Sequence, residues 1–246
     1  MAVLTNRVAL VTGGSRGIGA AIAKRLAADG AAVAITYASS ADKAEEVVAG
    51  IVREGGRAVA IQADSGSPEA VTRAVQRTVA ELGSIDILVN NAGIAVLGSV
   101  GEIRDEDFER MLDVNVRGVF YATREAVRHM RAGGRIINIG SINSDFVPFA
   151  QGSLYSMTKA AIAGFTRGLA RDLGPRGITV NNVQPGPVET DMNPADGPFA
   201  SQVKGFIAVG RYGRGEEIAA LVSHIAGPEG AYINGAQLKI DGGFTA

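Results

Sequence analysis

The sequence predicts an α/β protein on a doubly wound parallel sheet of about seven strands, with helices on both faces. Two observations lead to this. Short apolar runs alternate with longer helical patterns from one end of the 246-residue chain to the other. Most of the runs are apolar at every position rather than at every second one, as strands covered on both sides are. No shift in composition divides the chain, so residues 1–246 are read as one domain.

The elements follow in order. A strand at residues 8–11 runs into a glycine-rich turn and a helix over 17–29. Apolar runs at 32–35 and 58–61 bracket a helix over 41–54, and a helix over 68–82 leads to a strand at 85–89. The pattern at 105–131 is read as one long helix before the strand at 135–139. A helix over 153–173 precedes the strand at 178–183, and the last strand is at 237–240. Residues 187–211 break the rhythm with Asn193-Pro194-Ala195-Asp196-Gly197-Pro198 and a short apolar pattern through Phe206. An irregular insertion between the sixth and seventh strands suits a lid over a site.

Composition excludes several functions. The net charge is −1 and no basic stretch occurs, which argues against a nucleic-acid groove. There is no cysteine, hence no disulfide, thiolate metal site or cysteine nucleophile. With two histidines no metal centre is expected, and His129 and His224 are read as helix-surface residues. No run of eighteen apolar residues predicts a membrane span, and residues 1–11 do not read as a signal peptide. A cytoplasmic protein is the expectation.

The first strand leads into Thr12-Gly13-Gly14-Ser15-Arg16-Gly17-Ile18-Gly19. Glycines at 13, 17 and 19 permit a tight turn and close approach of backbone to a pyrophosphate. The helix that follows adds its first N–H groups and its dipole. After the second strand the chain reads Thr36-Tyr37-Ala38-Ser39-Ser40, without the carboxylate that commonly holds the ribose 2′-hydroxyl of NAD. Arg16 supplies a positive charge for a 2′-phosphate, and Ser39 or Ser40 supplies hydroxyls. NADP(H) is therefore favoured over NAD(H).

Tyr155 and Lys159 stand four apart, a spacing that puts both on one face of a helix. A free phenol keeps its proton until about pH 10, and an adjacent ammonium stabilises its anion. Ahead of this pair come Asp64, Asn90-Asn91-Ala92-Gly93, Asn115 and Ser141, and after it Pro185-Gly186. These landmarks fall at or near the ends of successive predicted strands. In that order they resemble the short-chain dehydrogenase/reductase family, over essentially the whole chain. The similarity extends to bacterial ketoreductases and 3-oxoacyl-acyl-carrier-protein reductases within it.

The resemblance implies a Rossmann fold and a set of roles. Tyr155 would be the acid that protonates the developing alkoxide, with Lys159 supporting it and holding the nicotinamide ribose. Ser141 would hydrogen-bond the substrate carbonyl, and Asn115 would fix a water that relays protons to the lysine. Asp64, with Ser65 beside it, would read the adenine amino group. Asn91, Ala92 and Gly93 would line the adenosine side; Pro185, Gly186, Val188 and Thr190 would meet the carboxamide and diphosphate. Relatives pair their long helices and use the C-terminal strand to build tetramers, so a homotetramer is expected.

Phe146 and Phe149 after Ser141, with Met192, Phe199 and Phe206 in the insertion, suit an apolar pocket for a ketone or keto-ester. The expected partner is a small-molecule carbonyl or alcohol, with no nucleic acid and no membrane. Two other functions fit the same residues: an NAD-dependent alcohol dehydrogenase, and a non-catalytic protein that binds a small molecule or nucleotide.

Overall fold

The computed structural model describes residues 2–191, 193–197 and 200–246. The first half alternates regularly: β1 (Val8–Val11), α1 (Gly17–Ala28), β2 (Ala32–Tyr37), α2 (Ala41–Arg53), β3 (Ala58–Gln62), α3 (Pro68–Leu82) and β4 (Ile87–Asn90). Next come α4 (Asp105–Leu112), α5 (Gly118–His129), β5 (Arg135–Ile139), α6 (Ser153–Leu173) and β6 (Thr179–Pro185). The chain ends with α7 (Ala200–Phe206), α8 (Gly215–Ala226) and β7 (Gln237–Ile240). The strands form one seven-stranded parallel sheet in the order β3-β2-β1-β4-β5-β6-β7. The order reverses between β1 and β4, which opens a crevice at the carboxyl ends of the strands.

Each strand is apolar throughout because successive side chains feed opposite cores. In β1, Ala9 and Val11 join the cluster under α1, α2 and α8, while Val8 and Leu10 join the one under α3, α5 and α6. Helix α3 has ends that the sequence specifies directly. The Ser67 hydroxyl accepts the Ala70 N–H at 3.2 Å, Pro68 opens the helix, and Gly83 closes it at φ +97°.

Two readings need correction. The helix expected over 105–131 is interrupted by a π-helical segment, Asp113–Arg117, where the Gly118 N–H donates to the Asp113 carbonyl five residues back. Gly118 sits there against the Ser65 carbonyl, which leaves no room for a side chain. Helix α8 was not expected. Ile218, Val222 and Ile225 face the core at helical spacing, and Glu217 caps the helix start by accepting the Arg214 N–H at 2.8 Å. Among the described residues no helix is long and apolar enough to cross a membrane.

Candidate active site

A cleft of about 380 Å³ runs along the carboxyl ends of the strands. At its entrance Gly13 and Gly17 take left-handed φ values of +65° and +52°. A Cβ on Gly19 would strike the Gly13 carbonyl and come within 2.5 Å of Asn91 Nδ2. The turn is held by its neighbours: Thr36 Oγ1 accepts the Gly13 N–H at 3.1 Å, and Asn91 Nδ2 donates to the carbonyls of Thr12 and Gly13 at 2.9 and 3.0 Å. Thr12 Oγ1 in turn accepts the Asn91 and Ala92 N–H groups at 3.0 and 3.1 Å. No side chain caps α1, so its first N–H groups are left to a ligand. A glycine cradle in front of an uncapped helix fits a pyrophosphate.

Every residue singled out for cofactor contact lines this one cleft. From the turn come Gly13, Ser15, Arg16, Gly17, Ile18 and Gly19, and after β2 come Tyr37, Ser39 and Ser40. Asp64 and Ser65 follow β3, and Asn91, Ala92 and Gly93 follow β4. Pro185, Gly186, Val188 and Thr190 lie opposite, and Ser141, Tyr155 and Lys159 form the inner end.

Two ion pairs at the cleft involve cations that the sequence reading missed. Arg110 grips Asp64 with both nitrogens, at 2.8 and 3.0 Å, and the Gly66 N–H adds a third contact at 2.9 Å. The Arg110 hydrogen bond, with smaller help from Gly66, holds the Asp64 carboxyl below its usual range. Lys43 on α2 pairs with Asp191 at 2.8 Å, and Arg16 adds to the positive field there. Nothing in the local sequence marks Arg110 or Lys43, because each meets a carboxylate far along the chain.

At the inner end Lys159 is buried, and its Nζ donates to the Ile139 carbonyl at 3.0 Å. The same nitrogen lies 5.6 Å from the centre of the Tyr155 ring. Asn115 is buried beneath the cleft rather than in its lining. Its Oδ1 accepts the Ile94 N–H at 2.9 Å, and its Nδ2 donates to the Ile94 carbonyl and to Thr158 Oγ1. Ser141 opens a 3₁₀ turn, Ile142–Ser144, and its hydroxyl donates to Asn143 Oδ1 at 3.0 Å while accepting the Asn143 N–H at 3.1 Å. Asn143 is thus a close partner of Ser141 that the sequence reading did not name.

The aromatic residues lie elsewhere. Phe146, Phe149 and Phe206 do not line the cleft; they form an aromatic cluster beside the Ser141 turn. Phe149 stacks edge-on to Phe206 at 5.8 Å, and Phe244, near the C-terminus, contacts both Phe146 and Phe206. Met192 and Phe199, also expected in the pocket, lie outside the described residues. His129 and His224 sit at exposed helix positions, away from the cleft.

The sheet order, glycine turn and cleft at the switch point define a Rossmann-type α/β protein. The family model described as short chain dehydrogenase matches residues 7–199, and the chain belongs to that family of oxidoreductases. It is 45% identical over 246 residues to the cyclic-di-GMP-binding biofilm dispersal mediator protein of Escherichia coli, covering 100% of both chains. A 3-oxoacyl-[acyl-carrier-protein] reductase of Synechocystis is 41% identical, over 100% of this chain and 99% of its own. A short chain dehydrogenase from Burkholderia cenocepacia, solved in complex with NADP, superposes with a TM-score of 0.98. It is 56% identical, over 99% of this chain and 100% of its own.

Proposed function

We propose that the protein reduces a ketone or keto-ester to a secondary alcohol with NADPH. The observation that carries this reading is the buried Lys159 ammonium, fixed on the Ile139 carbonyl and 5.6 Å from the Tyr155 ring, in the cleft that begins at the glycine turn. Bound nicotinamide would supply the hydride. Tyr155 gives its hydroxyl proton to the carbonyl oxygen as charge develops there, and Lys159 stabilises the phenolate left behind. Ser141 turns its hydroxyl from Asn143 Oδ1 to the substrate oxygen and polarises it. Asn115 ties the π-helical segment to the loop after β4 and to α6, where it would fix a water that relays protons to Lys159.

Arg16, Ser39 and Ser40 take the 2′-phosphate, and the NADP complex of the Burkholderia relative supports that choice. Asp64 and Ser65 face the adenine. Residues 187–211 act as a lid within one catalytic domain. Its ends are pinned by the Gly213 N–H on the Pro187 carbonyl and the Glu189 N–H on the Gly213 carbonyl, both 2.9 Å. Phe146, Phe149 and Phe206 offer an apolar wall beside the cleft for the substrate. The working form is a cytoplasmic homotetramer; Phe120, 43% exposed on α5 and 6.0 Å from Phe165 on α6, supports pairing through these helices.

The test is Tyr155→Phe. Reduction of a ketone panel should fall by roughly 10²–10⁴-fold while NADPH binding, followed by fluorescence, stays unchanged. Unchanged turnover would remove Tyr155 as the acid, and tighter binding of NADH than NADPH would favour the NAD-dependent alcohol dehydrogenase. The name of the E. coli relative favours a second reading, in which the cleft binds a nucleotide as a signal without turnover. Binding of cyclic-di-GMP together with no reduction across the panel would select it.

A further inference from the structure

We propose that Gln184 is a positioning residue for Ser141, acting through Ser144; this rests on the role given to Ser141 above. Gln184 lies in β6, just before Pro185-Gly186, and is 2% exposed. Its Nε2 donates to Ser144 Oγ at 2.6 Å and to Gln237 Oε1 at 3.2 Å. Ser144 Oγ reaches the Ser141 carbonyl at 2.9 Å and Asp145 Oδ1 at 3.1 Å, so its one proton goes to the turn and its lone pair to Gln184. Gln184 thus donates to Ser144, and Ser144 shares its proton between the Ser141 carbonyl and Asp145 Oδ1 within the turn.

The sheet sets the orientation of that amide. Gln237 Oε1 accepts from Asn182 Nδ2 at 2.7 Å as well as from Gln184, while Gln237 Nε2 points to the Ala163 carbonyl. The Gln184 NH₂ group must then face both acceptors, which leaves its Oε1 buried without a partner. An orphaned acceptor opposes folding, and an apolar side chain of the same shape would avoid it. Against that cost stand the two hydrogen bonds the amide donates, and the shorter of them ends on the turn that carries Ser141. Two further contacts close on the same turn: Lys239 Nζ reaches Asp145 at 3.1 Å, and Ser156 Oγ donates to the Asn143 carbonyl at 2.6 Å. Ser156 is the neighbour of Tyr155, so the turn is registered to the sheet on one side and to the helix bearing the acid on the other.

The experiment compares Gln184→Met, Ser144→Ala and the double variant. Methionine keeps the volume, loses the donor and removes the orphaned oxygen, so cost and gain offset and the fold should hold, which a thermal melt checks. Each single variant should lower kcat about tenfold or more with NADPH affinity unchanged, and the double should lose no more than one single. Backbone amide exchange over residues 142–145 should quicken in both singles, a readout that needs no turnover. Unaltered kcat, additive losses, a parallel loss of NADPH affinity, or unaltered exchange would each overturn the proposal. An inactive wild type with faster exchange in the variants would instead sink the reductase reading and leave the tether standing.

Discussion

The turn after β1 and the turn after β5 stand at the same end of the sheet, separated by β4, and are built differently. The glycine turn takes its shape from its own backbone, with positive φ values at Gly13 and Gly17 and a Gly13 carbonyl pressed on Gly19, and the side chains that hold it, Thr36 and Asn91, reach in from outside. The serine turn is set by side chains: Asn143 on Ser141, Ser144 on the Ser141 carbonyl, Gln184 on Ser144. A surface that receives an anion must present N–H groups, and any side chain there would stand in the way. A turn that aims one hydroxyl needs contacts that hold it yet allow its proton to be redirected. Under the proposed function, bare backbone suits binding, and a turn built from side chains suits chemistry.

This contrast breaks most sharply at Ser141. Ser141→Ala should lower kcat by about 10²–10³-fold with NADPH affinity unmoved, and the two lost contacts to Asn143 should lower the melting temperature only slightly. Steady-state kinetics and a thermal melt would check both halves. Gly19→Ala should do the reverse. The added carbon meets backbone at Gly13, so stability should fall by about 1–3 kcal/mol and NADPH binding should weaken roughly tenfold or more. Fluorescence titration beside a melt would measure it, and a variant that binds NADPH normally would show the cradle to be softer than its contacts imply.

The smallest effect concerns pH. The Asp64 carboxyl is depressed by Arg110, so its charged form is favoured in the folded protein. A depressed carboxylate contributes fully above its ordinary value near 3.9, and the contribution is lost as pH falls through the lower folded value. Arg110→Ala should move the acid loss of NADPH affinity to higher pH. The pair is about half exposed, so the shift should be modest and should shrink in high salt.

How much was legible depended on how local the signal was. The strands, the glycine turn and the Tyr155–Lys159 spacing are written in consecutive residues, and all fall where the pattern put them. Arg110 was invisible because its partner Asp64 lies 46 residues away and no local rule joins them. Gln184 stands just past the strand read at 178–183, and only the longer β6, its pairing with β7 and the Ser141 turn give it neighbours. Helix α8 is legible in the period of Ile218, Val222 and Ile225, but no element was read between the insertion at 187–211 and the strand at 237–240. The aromatic residues were found, yet composition could not say that they would gather beside the cleft rather than inside it.

The π-helical segment at 113–117 lets the run from α4 into α5 carry one residue more than ordinary winding holds. In an ordinary α turn an extra residue would swing everything after it by about 100°. The wide turn absorbs it, so Ala122 and Ala126 stay in the core. A single-codon deletion inside the segment should therefore spare the packing of α5 and cost the local contacts, chief among them the aim of Asn115 at the Ile94 backbone.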